Sequence, residues 1–312
     1  MNVLSLFDGM SCGRLALDRA GLGHKVAQYF ASEIDVHAIT VAKKNYPDTI
    51  HIGSVTEIRG SDLPEISLLI GGSPCQGFSF AGRQLNFEDP RSKLFFEYVR
   101  LKEETKPKYF LLENVQMRQE YQDIISSYLG VKPVMINSSL VSAQERKRLY
   151  WTNIPFDPKI EDRRLVIEDI LEDPEMIPVI RDVRAHPDGL IYRPLKAQCL
   201  DANYFKGVDA HGARTGCIQV GIADLNGHDF LKRVYGVNGK APTLTAICGG
   251  NQERKIAIDP THWRKLTPVE CERLQTVPDN YTNHVSNSQR YKMLGNGWTI
   301  DVVAHIFGGI EA

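Results

Sequence analysis

The residue best suited to do chemistry is Cys75, within the stretch Gly-Gly-Ser-Pro-Cys-Gln-Gly-Phe-Ser at 71–79. An apolar run at 66–70 predicts a short buried strand, and two glycines and Pro74 end that strand abruptly. Open α/β sheets place ligands and chemistry at the C-terminal ends of their strands. The alternative is a buried cysteine in a turn, since free cysteine is among the most buried residue types.

Charged residues elsewhere could share a cleft with that thiol. Glu113 directly follows an apolar run, where a carboxylate is costly unless it lies at a rim or is used. At a neighbouring strand end, it would give the cleft an acid beside the nucleophile. Arg146 and Arg148 belong to a charged cluster that is either a solvated face or a site for phosphate or a polarised base carbonyl.

Another group of residues has the features of a cofactor site. Residues 7–13 (Phe-Asp-Gly-Met-Ser-Cys-Gly) predict a turn between a strand and a helix, where a ligand can approach free N–H groups. Glu33 ends the second strand, where a carboxylate accepts hydrogen bonds from ribose hydroxyls. The turn lacks the Gly-x-Gly-x-x-Gly pattern and a P-loop lysine. A nucleoside-bearing cofactor without a required pyrophosphate fits, and S-adenosylmethionine is one.

The elements that position these residues alternate between strand and helix over about the first 155 residues. This alternation predicts an α/β fold with a doubly wound, mostly parallel, Rossmann-like sheet. Right-handed crossovers place the strand C-terminal ends along one edge, where Glu33, Ser54, Cys75 and Glu113 are expected. Strands are predicted at 2–7, 26–32, 51–52, 66–70, 109–112, 134–136 and 149–152.

The rest of the chain has a different character. Residues 178–262 are rich in Gly, Asn and Thr, which predicts a smaller, irregular, β-rich domain. Thr267-Pro268-Val269-Glu270 predicts a helix with a capping box, and a last helix follows 295–298. We predict a catalytic domain at 1–155 plus about 285–312, and a second domain at about 156–284.

Composition narrows the class of protein. The 312 residues carry a net charge of −1, so nucleic-acid binding would require a local basic face. Residues 178–262 have 11 Lys or Arg against 8 Asp or Glu, a mild basic bias that an ordinary surface also explains. No apolar run has the length of a membrane span, and the first residues do not form a signal peptide. The six cysteines lack zinc-site spacing, so no metal is expected.

In their order along the chain, these motifs resemble the DNA (cytosine-5) methyltransferase family. The resemblance covers nearly the whole chain, with a length similar to bacterial and phage enzymes and a Phe-Asp-Gly turn similar to vertebrate de novo methyltransferases. Its motifs are Phe7-x-Gly9, Glu33, Pro74-Cys75-Gln76, Glu113-Asn114-Val115, Gln144-x-Arg146-x-Arg148, the segment from Arg264 to Pro278, and Gly295-Asn296.

The resemblance implies the S-adenosylmethionine-dependent methyltransferase fold, a target-recognition domain and a covalent mechanism. A cytosine would flip out of duplex DNA, and the Cys75 thiolate would add to its C6. Glu113 would hold N4 and N3, while Arg148, helped by Arg146, would stabilise charge at O2. The C5 atom would then take the methyl group.

The resemblance also implies which residues bind S-adenosylmethionine. Ser54 departs from the pattern, because an acid is usual there and a serine accepts hydrogen bonds without charge; weaker cofactor binding is a possible consequence. The expected set is Phe7, Asp8, Gly9, Met10, Ser11, Cys12, Glu33, Ile34, Ser54, Val55, Pro74, Leu94, Asn296 and Trp298.

Three alternatives stay open. A tRNA cytosine-5 methyltransferase shares the chemistry, although its usual Cys-Phe-Thr tripeptide is absent here. A catalytically inactive DNA-binding paralogue is a second alternative. The intact Cys75 and Glu113 argue against it, because such a protein would not require them. An unrelated cysteine hydrolase would need a positioned histidine. The expected partner is double-stranded DNA, bound by a cytoplasmic monomer that could accompany a restriction endonuclease; the target sequence is not predicted.

Overall fold

The structure is a computed structural model that describes residues 1–73, 90–172, 181–182, 219–223, 225, 228–246, 252–257 and 262–311. The strands are β1 (Asn2–Leu6), β2 (Gln28–Ser32), β3 (Ile50–His51), β4 (Leu68–Gly71), β5 (Tyr109–Val115), β6 (Val134–Asn137), β7 (Gln144–Glu145), β8 (Lys147–Thr152), β9 (Arg181–Asp182), β10 (Gln219–Ile222), β11 (Arg233–Tyr235), β12 (Ala241–Pro242), β13 (Lys255–Ala257) and β14 (His262–Lys265). The helices are α1 (Cys12–Arg19), α2 (Val36–Asn45), α3 (Pro90–Thr105), α4 (Gln119–Leu129), α5 (Asp229–Lys232), α6 (Pro268–Leu274), α7 (Asn287–Asn296) and α8 (Ile300–Phe307).

The chain divides into two compact units. The first contains Met1–Asn137, Lys147–Ile160 and Gly297–Ala312, and the second contains Ser138–Arg146 and Glu161–Asn296. Residues 138–146, directly before Lys147, and helix α7 therefore belong to the second unit. The domain boundaries proposed from the sequence stay a prediction.

A seven-stranded sheet forms the centre of the first unit, in the order β3-β2-β1-β4-β5-β8-β6. Strands β1 to β5 run parallel, and β8 is antiparallel to both of its neighbours. The strand order reverses between β1 and β4, and such a switch point opens a crevice beyond the strand ends. The predicted doubly wound, mostly parallel sheet is confirmed, and its crevice lies at the turn after β1 and the segment after β4.

Apolar side chains pack helices α3 and α4 against this sheet. Strands of a parallel sheet are covered on both faces, so they read as nearly continuous apolar runs, as Leu68–Gly71 does. The fully buried members of this core include Leu4, Leu6, Leu69, Leu112, Trp151, Phe95, Tyr98, Leu101 and Ile125.

Helix α8 completes the first unit from the far end of the chain. It packs against α1, and an ion pair joins Arg19 of α1 to Asp301 of α8. Five of its apolar side chains are fully buried, because a helix with apolar residues at three- and four-residue spacing turns one face to the core. These are Ile300, Val302, Val303, Ile306 and Phe307.

The second unit contains a five-stranded sheet in the order β10-β11-β13-β14-β9 and the two-stranded pair β12-β7. Among the described strand pairs of the five-stranded sheet, β11 and β13 run parallel and the other pairs run antiparallel. Helix α6 begins as the sequence predicts: Thr267 accepts from the N–H of Glu270, and Glu270 accepts in return from Thr267. The predicted smaller, β-rich part is confirmed in its described segments.

One difference from the predicted elements affects the site. Strand β5 continues to Val115 rather than ending at 112, because its last residues pair with β8, with Glu113 opposite Tyr150. Glu113 therefore lies inside a paired strand. Across the described part of the chain, no helix has the length and apolarity to cross a membrane.

Candidate active site

The carboxylate of Glu113, near the C-terminal end of β5, contacts the side chains of Arg148 and Trp298. Arg148 lies two positions along β8 from the residue opposite Glu113, which places both side chains on one face. The Arg148 Nε atom is 3.0 Å from Glu113 Oε1. Both side chains are only slightly exposed, at 13% and 11%, so this ion pair is partly shielded from water.

The second oxygen of that carboxylate has a partner from the C-terminal segment. The Trp298 indole Nε1 donates to Glu113 Oε2 over 3.1 Å. A Cβ atom at Gly72 would lie 3.0 Å from the indole nitrogen and 3.1 Å from the same carboxylate oxygen. The glycine after β4 therefore allows this close approach, since a side chain there would force both groups to move.

Strand β5 also holds the backbone that leads to the predicted nucleophile. The Asn114 side-chain amide donates to the Ser73 carbonyl oxygen at 3.3 Å and to its hydroxyl at 3.2 Å. Pro74 and Cys75 lie outside the described residues. The structure thus places Glu113, Arg148 and the segment ending at Ser73 together, and the position of Cys75 stays a prediction.

Arg146 has a different environment from Arg148, within the second unit. It is 2% exposed, and its guanidinium donates to the carbonyl oxygens of Leu244 at 3.0 Å and Gly295 at 3.1 Å. At Gly295 a Cβ atom would lie 2.2 Å from the backbone of Thr245. Arg146 and this glycine therefore join the end of α7 to the segment after β12.

The turn after β1 is tied to the end of β2 by one carboxylate. Glu33 accepts from the N–H groups of Gly9 at 2.8 Å, Ile34 at 2.7 Å and Asp35 at 2.9 Å. The turn has three residues with positive φ, namely Phe7 at 57°, Gly9 at 58° and Ser11 at 64°. Phe7 and Ser11 adopt this left-handed conformation without being glycine, a strained geometry that is concentrated at functional sites.

The other side chains predicted to line a cofactor site differ in their exposure to solvent. Ile34 is 75% exposed, which is unusual for a large apolar residue, whereas Met10, Cys12 and Val55 are buried. Ser54 accepts from the N–H of Thr56 at 3.4 Å and caps a short helix. Leu94 is partly buried against the core, and Asn296 is exposed.

Asp8 points beneath the turn rather than outwards. Its carboxylate accepts from the hydroxyls of Ser11 at 2.6 Å and Tyr29 at 2.8 Å. Burial raises the pKa of Asp8 to about 6, although the hydrogen bonds from Ser11, Ser5 and Tyr29 oppose the rise. Desolvation disfavours the charged form more than these donors stabilise it.

Sequence reasoning missed three features of this site. It gave Trp298 only a cofactor role and did not connect the indole to Glu113. It gave Gly72 only the role of ending a strand and did not predict its close approach to Trp298 and Glu113. It placed Glu113 at a strand end, whereas pairing with β8 continues two residues further.

Comparisons with known proteins show the family to which the chain belongs. A sequence model of the C-5 cytosine-specific DNA methylase family matches residues 1–312. The chain is 27% identical over 327 residues to the type II methyltransferase M.HhaI of Haemophilus parahaemolyticus, covering 98% of this chain and 93% of that protein. It is 30% identical over 328 residues to M1.ScrFI of Lactococcus lactis subsp. cremoris, covering 96% and 75%.

Solved structures show the same fold. The methyltransferase EhMeth of Entamoeba histolytica superposes with a TM-score of 0.68 at 16% identity, covering 98% of each chain. A DNA modification methyltransferase encoded within an E. coli prophage superposes with a TM-score of 0.66 at 24% identity, covering 99% of this chain and 98% of that one. The predicted methyltransferase fold is confirmed.

Proposed function

The chain belongs to the C-5 cytosine-specific DNA methylase family and is a DNA (cytosine-5) methyltransferase, and from this premise we propose which of its residues carry out the reaction. One observation carries the proposal. The carboxylate of Glu113, held by Arg148 and Trp298, lies beside the backbone that leads to Cys75. An acid, a cation and a thiol around one base are the groups that methylation of cytosine C5 requires.

Cys75 is the proposed nucleophile. The C5 atom of cytosine is too weak a nucleophile to attack a methyl group, so the thiolate first forms a bond to C6. The π electrons of the C5=C6 bond are displaced into the ring, which makes C5 nucleophilic. After methyl transfer a base removes the C5 proton, and the electron pair of that bond expels Cys75. Covalent catalysis divides one difficult step into easier ones.

Glu113 and Arg148 stabilise the charge that develops on the ring. Glu113 accepts from the N4 amino group and supplies a proton or hydrogen bond to N3, where negative charge builds during thiolate addition. Arg148 contacts O2 while its Nε keeps the carboxylate in place. These roles suit the observed pair, because preorganised charges aimed at developing charge are a major source of rate enhancement.

For Arg146 we propose a supporting role in place of direct contact with O2. Its guanidinium is buried and donates to two backbone carbonyl oxygens. Arg146 would hold the segment 244–246 against Gly295, while Arg148 alone reaches the base.

S-adenosylmethionine is the proposed cofactor, and it supplies an activated methyl group on a sulfonium. The residues at the switch point fit it. Glu33 presents a carboxylate with lone pairs beyond its three backbone donors, which suits ribose hydroxyls, and the exposed Ile34 beside it offers an apolar surface to a base. Phe7 and the turn 8–12 would contact the remainder, with Val55, Pro74, Leu94, Asn296 and Trp298 around it.

Within that turn we propose that backbone, not side chains, meets the cofactor. The side chains of Asp8, Met10 and Cys12 are buried in the core. The Ser54 hydroxyl, which stands where an acid is usual, caps its own short helix. Cofactor affinity would then depend mainly on Glu33 and on packing at Ile34.

The partner is DNA, and we propose that the enzyme acts on a flipped cytosine in the duplex. The region between about 156 and 284 would read the target sequence. Much of this region lies outside the described residues. A cytoplasmic monomer, with or without a cognate restriction endonuclease, completes the proposal. Bisulfite sequencing of DNA from an expressing host would identify the target.

Methyl transfer tests the proposal. Purified protein should transfer labelled methyl groups from S-adenosylmethionine to duplex DNA, and Cys75→Ser should reduce the rate by at least about a thousandfold, since removing a catalytic nucleophile has effects of this order. Cys271→Ser is the matched control: this cysteine is buried in α6, and its variant should keep the activity per folded molecule.

Other outcomes would point to the alternatives. Transfer to tRNA but not to duplex DNA would contradict the assignment of the substrate. Cofactor binding without transfer to any nucleic acid would favour the inactive DNA-binding paralogue. Full activity in Cys75→Ser would exclude the covalent mechanism.

A further inference from the structure

The indole of Trp298 contacts the reacting centre through Glu113, 185 residues away in sequence. The side chain is 8% exposed, so the hydrogen bond to Glu113 Oε2 is protected from water. It approaches the backbone of Gly72, where no side chain intervenes. The C-terminal segment thus contacts Oε2 of the carboxylate, whereas Oε1 lies 3.0 Å from Arg148 Nε.

We propose that Trp298 is a positioning residue for Glu113: its indole N–H fixes the orientation in which the carboxylate receives the cytosine. This inference rests on the proposed function of Glu113. It adds to the role in cofactor binding that the sequence predicts for Trp298.

The chemistry of the two donors explains why an indole is suitable. A carboxylate has about four acceptor positions; the hydrogen bond from Trp298 uses one of them on Oε2, and Oε1 forms an ion pair with Arg148. The remaining lone pairs are left for the amino group of the base. Because each oxygen has its own partner, rotation of the carboxylate about its terminal bond is restricted. An indole N–H only donates and does not titrate, so it cannot replace the carboxylate as the acceptor for the N4 amino group.

A reaction that needs no cofactor can separate the effect of Trp298 on Glu113 from its effect on cofactor binding. After Cys75 adds to C6, the C5 atom can take a proton from solvent in place of a methyl group. Loss of the original C5 hydrogen and expulsion of Cys75 then regenerate cytosine. With tritium at C5 of the DNA cytosines, this cycle releases tritium into water and depends on Glu113 but not on S-adenosylmethionine.

The test is tritium release by Trp298→Phe in the absence of cofactor. Phenylalanine keeps an aromatic ring and lacks the N–H group. We expect release to slow by roughly 10- to 100-fold, the range for losing a hydrogen bond to a charged group. The KM for DNA should change less than about threefold, which, with no cofactor present, assigns the defect to the chemical step.

Trp151→Phe is the matched control. Trp151 is fully buried in the same unit, and its indole donates to the Ser126 hydroxyl at 3.0 Å, so the substitution removes an equivalent bond without touching Glu113. Its tritium release per folded molecule should equal that of the wild type. A second variant, with Trp298 replaced by 3-benzothienylalanine, keeps the bicyclic shape without the N–H and provides the test if Trp298→Phe does not fold.

The outcomes are distinct. Wild-type rates of tritium release in both Trp298 variants would overturn the inference, as would an equal loss in Trp151→Phe. Absence of release by the wild type, together with absence of methyl transfer, would instead overturn the proposed function on which the inference depends.

Discussion

Asp8 lies beneath the turn after β1, 7% exposed, and its carboxylate is bonded to the hydroxyls of Ser11 and Tyr29. Burial raises its pKa to about 6. The folded protein therefore binds this proton more tightly than the unfolded chain does. The stability that the proton contributes is complete below the ordinary pKa near 4 and is lost as the pH rises through about 6.

The raised pKa of Asp8 leads to a prediction for Asp8→Asn, in which the amide imitates the protonated acid. The free energy of unfolding of the variant, minus that of the wild type, should increase by about 3 kcal/mol between pH 4 and pH 7.5, because one pKa unit corresponds to about 1.4 kcal/mol. Denaturant unfolding at several pH values measures both proteins. The remaining carboxylates are common to both and cancel, so a difference independent of pH would contradict the raised pKa.

At the scale of elements, Glu270 of α6 connects several parts of the second unit. Its carboxylate accepts from both guanidinium nitrogens of Arg264, at 2.7 and 2.6 Å, and from the backbone N–H groups of Thr267 and Glu172. Glu270 is fully buried and Arg264 is 3% exposed. One residue therefore serves as the third helical position of a capping box and as the partner of a buried cation.

We expect Glu270→Ala to lower the free energy of unfolding by about 3–5 kcal/mol, because the substitution leaves a buried guanidinium without its partner. The control is Asp279→Ala, which breaks the ion pair between Arg273 and Asp279. That pair is 32% and 44% exposed, so its loss should cost less than about 1 kcal/mol. Equal losses of unfolding free energy in the two variants would show that burial does not determine how much these ion pairs contribute to stability.

At the scale of the whole molecule, the first unit is completed by the last residues of the chain. Helix α8 buries five apolar side chains against it, Ile300, Val302, Val303, Ile306 and Phe307. At about 1.5–3 kcal/mol each, their burial contributes on the order of 10 kcal/mol. This equals the whole stability of a typical domain.

Truncation after Asn296 should therefore abolish cooperative unfolding of the first unit and binding of S-adenosylmethionine. Thermal melts followed by circular dichroism, with isothermal titration of the cofactor, would measure both. Removal of Glu311 and Ala312 alone is the control and should leave both properties near wild type, because Glu311 is exposed. A truncated protein that still melts cooperatively at the wild-type temperature would contradict this role of α8.

The features that could be predicted from sequence have local causes. The strands of the first sheet appear as apolar runs because both faces are covered. The capping box of α6 was predictable because its partners, Thr267 and Glu270, are three residues apart. Helix α7 was not predicted: it is mostly polar, and its buried Arg290 bonds to Glu272 and Thr282, well separated in sequence.

By itself the sequence determined the family, the order of the motifs and the residue types needed for chemistry. Only the tertiary structure decided which partner each of them has. Arg146 and Arg148 are two residues apart, yet Arg146 donates to the carbonyl oxygens of Leu244 and Gly295, whereas Arg148 forms an ion pair with Glu113. The bond from Trp298 to Glu113 is absent from any local pattern, because chain folding alone brings residues separated by 185 positions within hydrogen-bonding distance.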